Sequence, residues 1–158
     1  VYGGFNTSLS WEGFDLSAIF AYSIGGYIYN RDVTMILHNG SLEGRDWSTE
    51  ILRRWTPDNR YTDVPALSTT SNNWNSASTR FLQNNSYMRL KNLTLSYNLP
   101  KQWISKLSLS SVQVYVQGDN LFTIHRNQGL DPEQGITGIT YYRYPAMRTI
   151  SGGINVSF

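Results

Sequence analysis

Asp131 and Glu133 stand two residues apart in a proline-containing turn, and a carboxylate pair flanking a cleft is the machinery of glycoside cleavage. At this spacing in one turn the two side chains more simply solvate or cap a loop. The histidines, His38 and His125, have no His, Asp or Glu at ligand spacing, so no metal centre is expected, and no Ser/His/Asp set of a lipase or protease forms around them. Asp58 and Asp63 lack the glycine and terminal glutamate of a calcium loop. The chain has no cysteine, which removes disulfides, thiolate chemistry and Cys-ligated metals. Asn6, Asn92 and Asn155 each begin an Asn-X-Ser/Thr triplet. All three fall inside expected strands, where they fit a water-facing polar stripe better than glycosylation. No catalytic residue, no metal and no cofactor is expected, and the chain is not read as an enzyme.

What remains is the chemistry of surfaces. Charged residues make up 15% of the 158-residue chain and aromatics 14%, with 5 Trp and 11 Tyr. Typical soluble domains carry about 25% charge. Polarity comes instead from Ser, Thr, Asn and Gln. The net charge of +2 is scattered, which leaves no electrostatic footprint for nucleic acid. No apolar run approaches the roughly 18 residues of a membrane helix, so a membrane role requires strands. The chain opens inside a strand pattern, with neither an initiator Met nor a signal peptide, as a C-terminal piece of a longer protein would.

Five segments alternate with period two, the signature of strands with unlike faces. Phe5, Thr7, Leu9 and Trp11 oppose Asn6, Ser8 and Ser10; a tight turn at Glu12-Gly13 leads to Phe14, Leu16, Ala18, Phe20, Tyr22 and Ile24. This pair predicts a hairpin. The third segment runs from about Tyr87 to Leu99, with Leu93, Leu95, Tyr97 and Leu99 on one face, and Pro100 stops it. The fourth sets Val112, Val114 and Val116 against Gln113, Tyr115 and Gln117. The last, Ile150, Gly152, Ile154, Val156 and Phe158, is an apolar stripe ending on an aromatic.

These stripes carry no charge, and near mid-membrane an Arg or Lys on such a face costs about 2–4 kcal/mol. By odd numbering Arg89 and Lys91 fall in phase with Leu93 to Leu99. The climb from Leu99 back to Arg89 is roughly 23 Å at ~3.3 Å per residue and ~45° tilt, which places Arg89 at a rim of a ~25 Å apolar band. Trp11, Tyr22, Tyr97, Trp103 and Phe122 lie near predicted strand ends and suit an interfacial girdle, though each equally suits ordinary sheet packing. Connections alternate short (Trp11 to Phe14, Pro100 to Ser108) and long (26–85 and about 124–143). The sixty-residue connection is too long for bare coil. Asp32 to His38, closed by Asn39-Gly40, and Ser48 to Trp55, stopped by Pro57, predict short helices in it. Trp47, Trp55, Trp74, Tyr141 and Tyr142 lie in the long loops, as candidate contacts for a sugar or a lid protein, or as residues folding the loop on itself.

Motifs of one family run in order along almost the whole chain: Tyr2-Gly-Gly-Phe-Asn-Thr-Ser-Leu-Ser-Trp11, Gly13-Phe-Asp-Leu-Ser17, Arg54-Trp-Thr-Pro-Asp-Asn59 with Asp63-Val-Pro65, Ser86 through Pro100, Gly118-Asp-Asn-Leu-Phe-Thr123, Gly129-Leu-Asp-Pro-Glu133, and Tyr144-Pro145 with Arg148-Thr149. In these the chain resembles the C-terminal barrel segment of a SusC/RagA-type TonB-linked outer-membrane transporter. The resemblance implies an all-β fold: about five antiparallel strands at the end of a plugged barrel of about 22, with residues 26–85 as a long extracellular loop carrying short helices. It implies import of large nutrients, oligosaccharides or peptides, across the outer membrane of a Gram-negative bacterium. The partners implied are a SusD-type lipoprotein as lid, the lipid bilayer, and the TonB complex acting through an N-terminal part, plug included, that lies outside this chain. The closing stripe, Phe158 above all, resembles the signal read by the outer-membrane assembly machinery. The rival class is a soluble carbohydrate-binding β-sandwich, which uses the same alternation. Leu16, Val114 and Ile154 converging between two stacked sheets would mark that rival.

Overall fold

The computed structural model describes all residues except 39–43, 69, 71–75, 108, 128, 130 and 134–136. Its strands are β1 (Tyr2–Trp11), β2 (Phe14–Ser23), β3 (Tyr27–Asn30), β4 (Leu82–Asn84), β5 (Tyr87–Asn98), β6 (Ser111–His125), β7 (Ile139–Thr140) and β8 (Thr149–Ser157). Two short helices, α1 (Arg31–Ile36) and α2 (Lys101–Ile104), accompany them, with 3-10 turns at Thr49–Arg53, Thr79–Phe81 and Ser105–Leu107. The chain divides into two compact units: Val1–Gly26, Asn85–Pro132 and Tyr144–Phe158 form the first, Tyr27–Asn84 and Glu133–Arg143 the second.

The first unit is one five-stranded sheet in the order β1-β2-β5-β6-β8, antiparallel at every step. Glu12 (φ 47°) and Gly13 (φ 88°) make the β1–β2 turn, and left-handed backbone at both central residues is what a tight hairpin matched to strand twist needs. Between β5 and β6 the chain folds through α2, whose buried Ile104 anchors it, and Leu99 N–H donates to the Val112 carbonyl at 2.9 Å.

A β-bulge corrects one sequence expectation. Ile19 and Phe20 are consecutive on β2 yet face Asn92 and Leu90, so Lys91 is an extra residue in β5. One extra residue inverts the side-chain phase. Met88 and Leu90 therefore continue the face of Leu93, Leu95 and Tyr97, while Arg89 turns to the opposite side, facing Ala21 and Thr123. Arg89 is not a rim residue of the apolar stripe. A second correction is length. Alternation ended at Gln117 in the sequence, but β6 runs on to His125, with Asn120 in a left-handed conformation (φ 51°) where the register shifts.

The second unit has its own small core of Ile28, Leu37, Ile51, Val64 and Phe81, all buried. Its sheet runs β4-β3-β7, with β3 antiparallel to β4 and parallel to β7; no strand was expected between 26 and 85. Asn30 caps α1 by accepting the Val33 amide at 3.1 Å, satisfying a helix-start donor. The expected Asp32–His38 helix is thus Arg31–Ile36, and its expected Asn39-Gly40 stop lies outside the described residues. The helix expected over Ser48–Trp55 is a 3-10 turn, capped by Ser48 and ended at Arg54 rather than by Pro57. Its bonds are of the i to i+3 kind, Ile51 N–H to the Ser48 carbonyl and Arg54 N–H to the Ile51 carbonyl, both at 3.1 Å; the Arg53 carbonyl, which Pro57 has no N–H to serve, is taken by Asn59 Nδ2 and Thr62 Oγ1 at 2.9 and 2.6 Å.

Candidate functional site

In an antiparallel sheet directly opposed residues share a face, so the register alone sorts the side chains of the first unit. One face is a ladder of apolar rungs. Trp11, Phe14, Tyr97, Val114 and Ile154 form one; Leu9, Leu16, Leu95, Val116 and Gly152 the next; then Thr7, Ala18, Leu93, Gly118 and Ile150; then Phe5, Phe20, Leu90 and Phe122. No rung holds a charge. The face is open: Leu9 is 66% exposed, Ile154 65% and Ile150 72%. Uncovered apolar surface of this extent is costly in water. From the Val112 rung to the Ile124 rung the face rises roughly 23 Å at ~3.3 Å per residue and ~45° tilt, once the bulge residues of β6 are left out of the climb, close to the ~25 Å apolar band of outer-membrane barrels.

The expected interfacial aromatics fall at the two ends of this ladder. Trp11 and Tyr97 lie in the rung nearest the short turns, where the Phe14 and Tyr97 rings meet at 4.4 Å. Trp103, 65% exposed, sits on α2 at that same end. Tyr22 and Phe122 lie toward the other end, beside Phe5 and Phe20, whose rings stack at 4.7 Å. Gly3 makes room there, since a Cβ at that position would meet the Tyr22 hydroxyl at 2.8 Å.

The other face is polar and bonded to itself. Asp15 accepts from Ser10 at 2.5 Å and Asn98 at 2.8 Å; Asp119 accepts from Asn92 at 2.8 Å and Gln117 at 3.3 Å; Gln113 bridges Asn155 and Ser96 at 3.2 and 3.3 Å. Near the long-connection end, Arg89 donates to Thr123 Oγ1 at 2.9 Å and to Asp131 at 2.5 Å, while Asp131 also accepts the Ala146 amide at 2.6 Å. Both charged side chains are buried, 4% and 8% exposed. Asp131 is therefore a structural partner of Arg89 rather than half of an acid/base pair, and Glu133 falls in the other unit. Neither the bulge that turns Arg89 nor this pairing was foreseen. The available signal was the shift of apolar positions from even (Met88, Leu90) to odd (Leu93, Leu95) across Lys91.

Of the loop aromatics, Trp47 meets the buried His38 edge to face at 5.3 Å, and Trp55 is held by a backbone bond to Val64 at 2.8 Å. Trp74 lies outside the described residues. Tyr141 and Tyr142 are exposed neighbours, rings 4.5 Å apart. His125 Nδ1 lies 2.9 Å from the Asn127 carbonyl. Among the described residues no group of three or more His, Cys, Asp or Glu is placed to hold a metal. On β8 the stripe Ile150, Gly152, Ile154 and Val156 pairs with Gly118, Val116, Val114 and Val112, and Phe158 follows the strand, 94% exposed. Leu16, Val114 and Ile154 share one open face of one sheet, so the sandwich alternative is not favoured.

Known proteins agree with this architecture. No family model matches the chain. TonB-dependent receptor P3 of Formosa agariphila is 34% identical over 98% of this chain, and TonB-dependent receptor SusC of Bacteroides thetaiotaomicron is 27% identical over the same share. Two solved structures of the RagAB peptide importer, in its closed-closed and open-open states, superpose with TM-scores of 0.86 and 0.87 at 35% identity over 99% of the chain. The chain spans 16% of the length of the P3 receptor and 17% of the matching chain of the importer. Along nearly its whole length, in sequence and in fold, the chain matches SusC/RagA-type TonB-dependent receptors and fits a C-terminal segment of their barrel.

Proposed function

We propose that this chain forms the last five strands of the barrel of a TonB-dependent transporter in the outer membrane of a Gram-negative bacterium, importing large nutrients, oligosaccharides or peptides, without an enzymatic step. The observation that carries the reading is the two-faced sheet: a charge-free, open apolar face about as tall as a bilayer core, backed by a self-bonded polar face. The apolar side meets lipid and the polar side lines the water-filled interior. There Asn, Gln, Ser and Thr groups already paired with one another offer a passing solute weak, multiple hydrogen bonds, which suit conduction better than retention.

Five strands are too few to close a barrel, which takes about eight or more. The outer edges of β1 and β8 therefore pair with the remaining strands of the full protein, removing the free edges. The short turns face the periplasm and the long connections face the outside, where a SusD-type lipoprotein lids the barrel. Energy arrives from the TonB complex through the N-terminal part of the protein. Trp11, Tyr97 and Trp103 anchor one interface, Tyr22 and Phe122 the other. The β8 stripe, ending on Phe158, is the edge offered to the outer-membrane assembly machinery, which captures strands by edge pairing.

The experiment is uptake by cells carrying the full-length protein, using fluorescent oligosaccharides and peptides larger than general porins pass. Uptake that stops when TonB is deleted or the proton-motive force is collapsed supports the reading; uptake of nothing, or uptake indifferent to both, overturns it. In the same cells Phe158→Ala is expected to lower the amount of assembled protein several-fold.

A further inference from the structure

Tyr142 holds a backbone conformation that bulky residues rarely adopt, with φ at +46°. Such strain persists only where the surroundings enforce it, and it gathers at functional sites. Here the enforcement is visible: the Tyr142 amide donates to Asp32 Oδ1, on α1, at 3.0 Å. The strain does not bury the ring. Tyr142 is 63% exposed and Tyr141 46%, side by side at a tilt of 56°. Two cations flank the pair, both within the same unit. The Arg31 guanidinium lies 4.4 Å over the Tyr141 ring, and Arg45 Nη1 donates to the Tyr142 hydroxyl at 3.4 Å. Arg31, Arg45 and the adjoining Arg143 are all exposed. A guanidinium stacked on a ring keeps its in-plane N–H donors for a second partner, and their fork matches a carboxylate or sulfate.

We propose that Tyr141, Tyr142, Arg31 and Arg45 form an extracellular binding site for an anionic oligosaccharide, one bearing carboxylate or sulfate groups. The proposal rests on the importer reading and names a substrate class for it. The tyrosine faces stack on the C–H faces of sugar rings, and the two guanidiniums take the acidic groups. An extended acidic peptide is the poorer fit: clustered arginines also take acidic motifs, but a run of Asp and Glu brings no ring face to lie on the two exposed tyrosines, and β7, the strand beside the site, is only two residues long, too short an edge for main-chain pairing.

The test is calorimetry on the purified full-length transporter with four probes: tetragalacturonate, a carrageenan hexasaccharide, maltohexaose and tetraglutamate. Wild type is expected to bind at least one of the first two tenfold or more tighter than maltohexaose, with the preference shrinking as salt is raised. Comparing those two separates carboxylate from sulfate recognition. Arg31→Gln with Arg45→Gln is expected to erase the preference. Tyr142→Gly, which relieves the backbone and removes the ring, is expected to weaken the same probe about tenfold while heat-modifiable migration of the barrel stays unchanged. The proposal is overturned if neither anionic saccharide is preferred, if the preference survives the double substitution, or if only tetraglutamate binds. Uptake assays on the same cells keep the two readings apart: TonB-dependent uptake without the anionic preference removes this site alone, and absent uptake removes the importer.

Discussion

Leu93→Arg places a guanidinium at the middle of the apolar face. Leu93 lies in a rung with Ala18, Gly118 and Ile150. Each residue climbs roughly 2.3 Å at ~3.3 Å rise and ~45° tilt, so that rung stands about 14 Å above the one at Val112 and about 9 Å below the rung of Tyr22 and Ile124 at the top of the face. A charge at that depth costs about 2–4 kcal/mol, a factor of roughly 30 to 1000 in the folding equilibrium. Thr94→Arg is the matched control: one residue on, at nearly the same height, it projects among Ser17 and Gln117 on the polar face, and it is expected to cost under about 1 kcal/mol. Met88→Arg, near the upper end of the ladder, is expected to cost about 0–1 kcal/mol. The assay is reversible denaturant titration of the full-length protein in short-chain lipid vesicles, followed by heat-modifiable migration. Equal costs for Leu93→Arg and Thr94→Arg, or a larger cost for Thr94→Arg, would refute the assignment of lipid to the Leu93 face.

Three further outcomes follow from particular contacts. Asp131→Ala removes the carboxylate 2.5 Å from the buried Arg89 guanidinium, a loss of up to about 3–5 kcal/mol; protease cleavage in the 126–148 connection is expected to rise, and Arg89→Met with Asp131→Leu to restore most of the protection. Gly13→Ala forces a Cβ into left-handed backbone (φ 88°) and to 3.1 Å from the Asn98 carbonyl. A loss of about 1 kcal/mol or more is expected, read as faster amide exchange at the β1–β2 hairpin. Asn30→Ala removes the cap of α1, costing about 1 kcal/mol, and the Val33 amide is expected to exchange several-fold faster with the strands of the first unit unaffected.

The sheet was legible because period-two alternation is local: Leu9, Leu16, Leu95 and Val116 announce their face without reference to any partner. What stayed hidden depended on partners. Lys91 reads as one more residue of a strand until β2 and β6 fix the register, and Gly118-Asp119-Asn120 reads as a break until Leu90 is seen opposite Phe122. Asp131 looked like loop chemistry because Arg89 is 42 residues away, and Tyr142 gave no sign of its backbone because Asp32 is 110 residues away. Strands β3, β4 and β7 are too short to show a period, and the bonds that close the end of Thr49–Arg53 come from Asn59 and Thr62, beyond the expected helix.

The central claim is that one face of this sheet touches hydrocarbon and the other water, with the phase switching at Lys91. The direct measurement is a nitroxide scan of residues 88–97 in the full-length protein in lipid, reading collision with oxygen, which concentrates in lipid, against a water-soluble nickel chelate. The expected result is oxygen maxima at 93, 95 and 97 that move to 90 and 88 across the bulge, with nickel maxima at 92, 94 and 96. Nickel maxima at 93, 95 and 97, or an oxygen alternation running unbroken through 91 and 89, would contradict it.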